Sequence, residues 1–342
     1  MVFRPVVYPE RKAGRTSMSG FWNKSDNLRD ESIFGLALAH SQLVRIQPDP
    51  LVVLRRVPKA ASKVQIISGG GSGHEPMDAG FVGLGMLDAA CPGQIFSSPS
   101  PEPILSAVRA CESTAGHLFI VKNFDGDRLN FGLARDSLNS PAEIIVVADE
   151  AVENSAGEPR GMAGTLFVQK VAGAAAERGA SLQQCAAIAN RAAAAVRSNG
   201  VALSSCHLPN LGRPTFKIAE GEVEFDVGIH GERGRNHGPW RPLDDLMERM
   251  TAQIVLAMET SPSRGLLLVN GMGATPPLQL YAAYGAAHRQ FTELGWSINR
   301  SIVGTFVTSL DMAGVSITLC RLDDELTDLW DAAVKCPAFQ WG

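Results

Sequence analysis

Short apolar runs alternate with longer amphipathic stretches along most of this chain. Strands are expected at Val64–Ser68, His117–Val121, Glu143–Val147, Gly200–Ser204, Gly265–Val269, Ile298–Thr308 and Val315–Leu319. Between them, apolar positions recur at helical spacing over Pro101–Cys111, Asn130–Leu138, Gly164–Arg178, Ser181–Ser198, Pro242–Met258, Pro277–Leu294 and Asp323–Ala333. A further helix is expected over residues 26–46, with Asp26 as its N-cap. Strands that alternate with helices argue for α/β layers. We expect two α/β domains, each with a central mixed sheet flanked by helices. The Ala-rich helix Ser181–Ser198 divides them, with the boundary near Asn199. The expected organisation is a flexible extension over residues 1–20, a first domain over 21–198 and a second over 199–342.

Length supports that division, since 342 residues exceed the usual span of one core. Apolar content of 45% and charge of 19% fit a soluble globular protein. A net charge of −4 leaves no footprint for nucleic acid or an anionic membrane. No run reaches the roughly 18–20 apolar residues of a membrane span, and residues 1–17 lack the apolar centre of a signal peptide. The cysteines (Cys91, Cys111, Cys185, Cys206, Cys320 and Cys336) are scattered, with no C-x-x-C pair. They read as reduced structural thiols of a cytoplasmic protein, and no metal site is expected.

Candidate chemistry concentrates in loops after strands, where α/β proteins bind ligands. The strand Val64–Ser68 runs into Gly69, Gly70, Gly71, Ser72, Gly73 and His74. Glycines admit a ligand close to the backbone, and a titratable His74 at that point is placed for chemistry. No Gly-Lys-Ser/Thr follows, so this is not a P-loop, and it is not the dinucleotide fingerprint either. A tight turn with a surface histidine is the competing reading. The segment VKNFDGD delivers Lys122, Asn123, Asp125 and Asp127 into a second loop. Lys122 and Asp127 either pair with each other or divide labour, the cation on an anionic group and the carboxylate as base. His230 lies between Gly228 and Gly231 in DVGIHGERG. Taken alone, such a histidine is more often structural than nucleophilic. LVNGMGATP (268–276) reads as an interface turn, and SSPSPEP (97–103) as a helix start or site lining. His40, His117, His207, His237 and His288 receive no role.

Taken together, SGGGSGHEP, CPGQIFSSPSP, VKNFDGDRLNF, GAAAERG, DVGIHGE, GATP and TSLDMAGVSITL occur in an order and at spacings that closely resemble the K subunit, or kinase domain, of dihydroxyacetone kinases. The resemblance runs from about residue 25 to Trp341. It implies that Gly71, Ser72, Gly73 and His74 hold a short ketose rather than ATP. It implies Lys122 and Asp127 as substrate contacts, Asp127 as the catalytic carboxylate, and His230 as a histidine that adds to the ketone to give a hemiaminal. His74 would then hydrogen-bond the substrate and assist proton transfer. The family's helical nucleotide module has no counterpart in this sequence. The resemblance therefore implies no cofactor on this chain, Mg-ADP or Mg-ATP on a separate L-type subunit, a possible phosphotransferase-system protein upstream, and a K homodimer. It also admits a non-enzymatic ketose sensor that controls a transcription factor. Phe124 and Asp125 stand where the family usually has Tyr-Thr, and Arg233 where it has Pro. The Gly271-Met272 loop lacks a common Asn. The added carboxylate and guanidinium are expected near the substrate, leaving dihydroxyacetone and a four-carbon ketose such as erythrulose both open.

Overall fold

The computed structural model describes residues 20–151 and 157–342. The extension expected over residues 1–20 lies almost entirely outside them.

The first sheet has six strands in the order β1-β2-β4-β3-β5-β6. These are β1 (Val44–Pro48), β2 (Leu51–Arg55), β3 (Gln65–Ser72), β4 (Ala89–Ile95), β5 (His117–Lys122) and β6 (Ala142–Val147). β3 to β6 run parallel, and the β1–β2 hairpin joins antiparallel through β2 and β4. Parallel strands are covered on both faces, so β3 and β5 read as continuous apolar runs. Alternate side chains divide between two layers. Ile67, Phe119 and Val121 pack with α2 (Pro101–Ala110) and α3 (Asp125–Asp136). Ile66, Leu118 and Ile120 pack with α4 (Thr165–Glu177) and α5 (Leu182–Ala194) on the other side.

The second sheet has the order β11-β10-β12-β7-β8-β9. Its strands are β7 (Val196–Ala202), β8 (Glu222–Phe225), β9 (Asn236–Pro239), β10 (Arg264–Gly271), β11 (Ser297–Gly304) and β12 (Gly314–Arg321). Only β10 and β11 pair in parallel. Leu267, Val269, Ile317 and Leu319 face α6 (Leu243–Met258) and α7 (Pro277–Glu293). Leu266, Leu268 and Cys320 belong instead to the cluster that holds Ile66 and Leu118. One apolar core therefore runs through the seam between the sheets. The last helix, α8 (Asp324–Asp331), returns to the first half, with Trp330 against Phe167 of α4 at 5.9 Å between ring centroids.

The α/β architecture with two mixed sheets is as expected from sequence. Several boundaries differ. The first helix, α1 (Leu28–Ala39), stops seven residues early, and the rest of residues 26–46 turns into β1. Its N-cap is Asn27, after a short 3₁₀ turn, rather than Asp26. The dividing helix ends at Ala194, and β7 begins at Val196, already within the second sheet. β4 escapes the periodicity because AACPGQI is poor in β-formers. It stands as a strand because it is sandwiched between β2 and β3. α3 begins at Asp125 rather than Asn130, with Asp125 and Asp127 in its first turn, where carboxylates favour the helix dipole. No described helix is long and apolar enough to cross a membrane.

Candidate active site

The glycine loop leaves β3 at its carboxyl end and is held from both sides of the seam. Ser72 Oγ donates to Gly93 O at 2.8 Å, and Phe96 N donates to Ser72 O at 2.9 Å. From the second half, Leu310 N donates to Gly73 O at 2.8 Å and Thr308 N to His74 O at 3.2 Å. Gly73 has φ 103°, and a Cβ there would fall 2.8 Å from the Phe96 ring. Only glycine fits this position without strain. A Cβ on Gly71 would likewise sit 2.6 Å from Ser97 N. The 268–276 loop supports the same clamp, as Ser309 N donates to Met272 O at 2.9 Å.

His74 is 1% exposed. Its Nδ1 lies 2.9 Å from Thr308 O. A carbonyl only accepts, so Nδ1 carries the proton and Nε2 presents a lone pair. That Nε2 faces Nε2 of His230 at 3.2 Å. The rings cross at 83°, and Phe96 stacks on His74 with centroids 5.2 Å apart. Burial holds the His74 imidazole well below its ordinary pKa, helped by His230 and Lys122. His230 is pushed down to about 3, first by burial and then by the charges of Lys122 and Arg160. Both rings are neutral at physiological pH. His230 Nδ1 is buried without a hydrogen-bond partner among the described residues.

The His230 loop lies between β8 and β9. Gly231 has φ 70°, and its absent Cβ would meet Cys206 Sγ at 2.4 Å. Arg160 ties the loop down by donating to Glu232 Oε1 at 2.6 Å, to Asp226 O at 2.7 Å and to Glu150 Oε2 at 2.9 Å. Phe124 closes the other side, its ring edge-on to His230 at 4.1 Å between centroids.

Lys122 is the last residue of β5 and is fully buried. It does not pair with Asp127. Its Nζ donates to Asp78 Oδ2 at 2.8 Å and Gly69 O at 2.9 Å. Asp78 also accepts from Gln169 Nε2 at 2.7 Å and Ser68 Oγ at 3.3 Å. Asp127 sits in the first turn of α3, not in a loop, and is 2% exposed. Its Oδ1 has no partner among the described residues. Burial raises its pKa, against a downward pull from Lys122 and the Ser98 hydroxyl. Lys122 and Asp127 both front the bare Gly70, whose Cβ would lie 2.8 Å from Nζ and 3.5 Å from Asp127 Oδ2.

Thus Gly71, Ser72, Gly73, His74, Lys122, Asp127 and His230 gather around one seam between the sheets. Two other expectations are corrected. The Asp125 carboxylate is 94% exposed and pairs with Arg128 at 2.6 Å on the helix surface. Arg233 is exposed and donates to Lys217 O at 2.8 Å. Neither reaches the site. The departure that does is apolar Phe124. Asp78 was missed, although it lies four residues after His74 in the same motif. Thr308 gave no residue-type signal, because its backbone carbonyl does the orienting. Among the described residues, no group of His, Cys, Asp and Glu could hold a metal ion.

The paired imidazoles, His74 beyond the carboxyl end of β3 and His230 beyond that of β8, meet in the seam of a two-sheet α/β protein. The chain belongs to the Dak1 domain family, whose model matches residues 34–338, and is of the DhaK type. It is 39% identical to the dihydroxyacetone-binding subunit DhaK of the PEP-dependent dihydroxyacetone kinase of Escherichia coli, covering 94% of this chain and 98% of that one. It is 38% identical to an L-erythrulose 1-kinase of Mycolicibacterium smegmatis, covering 95% of this chain and 58% of the relative. Among solved structures, it matches a dihydroxyacetone kinase operon co-activator, DhaQ, with a TM-score of 0.85 and 32% identity, covering 90% of this chain and 97% of that one.

Proposed function

We propose that this chain captures a short ketose on His230 and presents its terminal hydroxyl for phosphorylation. The reading rests on the His74–His230 contact and on the buried Asp127 carboxylate at Gly70 of the same glycine loop, whose Oδ1 has no partner among the described residues. An uncharged imidazole is a competent nucleophile. Addition through a ring nitrogen forms one C–N bond and moves the carbonyl π pair onto oxygen. The ring proton is carried to that oxygen, with His74 Nε2 the adjacent base. Capture selects ketones and aldehydes over glycerol, which has no carbonyl, and fixes the terminal hydroxyl for attack. Asp127 then accepts the hydroxyl proton as the phosphoryl group arrives, and the Lys122–Asp78 pair shapes the charge beside it. Dihydroxyacetone and erythrulose remain the two candidate substrates, in line with the names of the two relatives. Mg-ATP or Mg-ADP would sit on an L-type partner, and the chain is expected to act as a homodimer in the cytoplasm.

Likeness to the DhaQ co-activator supports a second reading, a ketose sensor without phosphoryl transfer. The buried Asp127 and the intact His74–His230 pair favour the enzyme. Intact-mass spectrometry with each ketose tests capture, and His230→Ala should abolish the mass increment. Turnover is then assayed with an L-type subunit and Mg-ATP, against the purified chain alone. An undiminished adduct in His230→Ala would sink the assignment. Capture without turnover under any donor would leave the sensor.

A further inference from the structure

A cavity opens beside the amino-terminal end of β3 and the carboxyl end of α2, at the pole opposite the glycine loop. Its volume is about 270 Å³, large enough for a small metabolite and below the usual range for nucleotide-sized ligands. Arg45, Arg55 and Lys59 converge on it. All three lie near the Cys111 thiol in its wall, drawing its pKa down against burial and the Asp88 carboxylate, which raise it. Leu54, Pro58 and Ala61 supply an apolar side.

Two of the cations are fixed in place. Arg55 donates to Asp88 Oδ1 and to Glu177 Oε2, each at 2.9 Å. Lys59 Nζ donates to Asp88 Oδ2 at 2.7 Å and to Val64 O at 3.0 Å. Asp88 is spent, since it also accepts from Ile66 N at 2.7 Å. The third cation is not neutralised. Arg45 is half-buried and makes no ion pair or side-chain hydrogen bond among the described residues. The remaining lining carboxylate, Glu112, is exposed at the rim. The planar fork of such a guanidinium, open to the cavity, matches a phosphate oxygen pair.

We propose that this cavity binds a small phosphate-bearing anion, with Arg45 as its principal contact and the rigid Arg55–Asp88–Lys59 network as its floor. The apolar side gives room for a few carbon atoms, so a phosphate monoester fills it better than free phosphate. This binding chemistry does not depend on the ketose reading, because no residue of the glycine loop or the His230 loop takes part.

Isothermal titration of the full chain at low ionic strength tests it, with inorganic phosphate, glycerol 3-phosphate and uncharged glycerol as titrants. Saturable binding is expected for both phosphate compounds, with a Kd on the order of 0.1–1 mM, weakening with added salt, and none for glycerol. A tighter Kd for glycerol 3-phosphate assigns the site to monoesters, and equal values assign it to phosphate itself. Arg45→Ala should weaken binding about tenfold. Glu112→Gln should tighten it, which keeps the test informative if Arg45→Ala folds poorly. No saturable heat from either phosphate compound overturns the proposal, and so does unchanged affinity in both variants.

Discussion

Replacing Asp127 with Asn and Asp78 with Asn should separate a catalytic carboxylate from a structural one beside the same lysine. Lys122 is fully buried, and its carboxylate partner is Asp78 at 2.8 Å. Asp78→Asn keeps an acceptor for Gln169 but leaves the ammonium without its counter-charge. Removing one partner of a buried pair costs about 3–5 kcal/mol. Asp127→Asn leaves that pair intact. The Asp127 carboxyl is held above its ordinary pKa in the fold, mainly by burial. The sign follows from linkage. A carboxyl with a raised folded pKa contributes stability that is fully present below its unfolded pKa and is lost as pH rises through the folded value. At pH 7 its ionised form therefore works against folding, and a neutral amide relieves the strain. Asp127→Asn should unfold within about 1 kcal/mol of the parent, or later. Its turnover should fall about 10²–10⁴-fold with the partner present, while adduct formation at His230 persists. Urea denaturation at pH 7, intact-mass titration with ketose and kcat on the same preparations supply the readouts. A loss of several kcal/mol in Asp127→Asn with Asp78→Asn unaffected would refute the pairing. Near-normal kcat in Asp127→Asn would refute the base.

Other outcomes follow from the same geometry. His74 and His230 are both held below their unfolded pKa, His230 down to about 3. Below pH 6.5 the unfolded chain binds protons that the fold refuses, so stability should fall by about 1.4 kcal/mol per pH unit for each histidine. Denaturation midpoints between pH 4 and 7 check this, and a flat profile would contradict the neutral imidazoles. Over the same range, adduct formation on the folded chain should be nearly independent of pH. Gly73→Ala places a Cβ 2.8 Å from the Phe96 ring at φ 103°, a cost of about 1–3 kcal/mol. It should weaken ketose capture more than Ala at Gly35, which has open space around it. Equal effects would argue against a strained glycine loop.

Much of this arrangement is legible in the sequence because it is encoded locally. β3 and β5 are continuous apolar runs that end in Gly69–Gly73 and in Lys122, so both the sheet and the position of its loops can be read directly. β4 could not be read, because its Ala, Pro and Gly acquire strand geometry only from the neighbours β2 and β3. Lys122 invited pairing with Asp127, five residues on. The choice of Asp78 is made in three dimensions, where the glycine loop folds back over the end of β5. Asp125 and Arg233 drew attention as charged departures from a family pattern. Their direction is fixed by helix phase and by Lys217 O, which no spacing rule contains. The His74–His230 contact joins residues 156 positions apart, and resemblance rather than periodicity brought it into view.

That contact makes the two halves of the polypeptide a single heritable unit. His230 follows a strand of one sheet and His74 a strand of the other, with Thr308 of the second half fixing the tautomer of the first. Separating the halves by gene fission, or exchanging one for a distant relative's, would open the apolar core they share and part His74 from His230. Sequence drift on either side of the seam is constrained by the other side. On the proposed reading, covalent labelling by a ketose would report how faithfully the halves dock, and a screen for it would recover lesions far from any substrate atom.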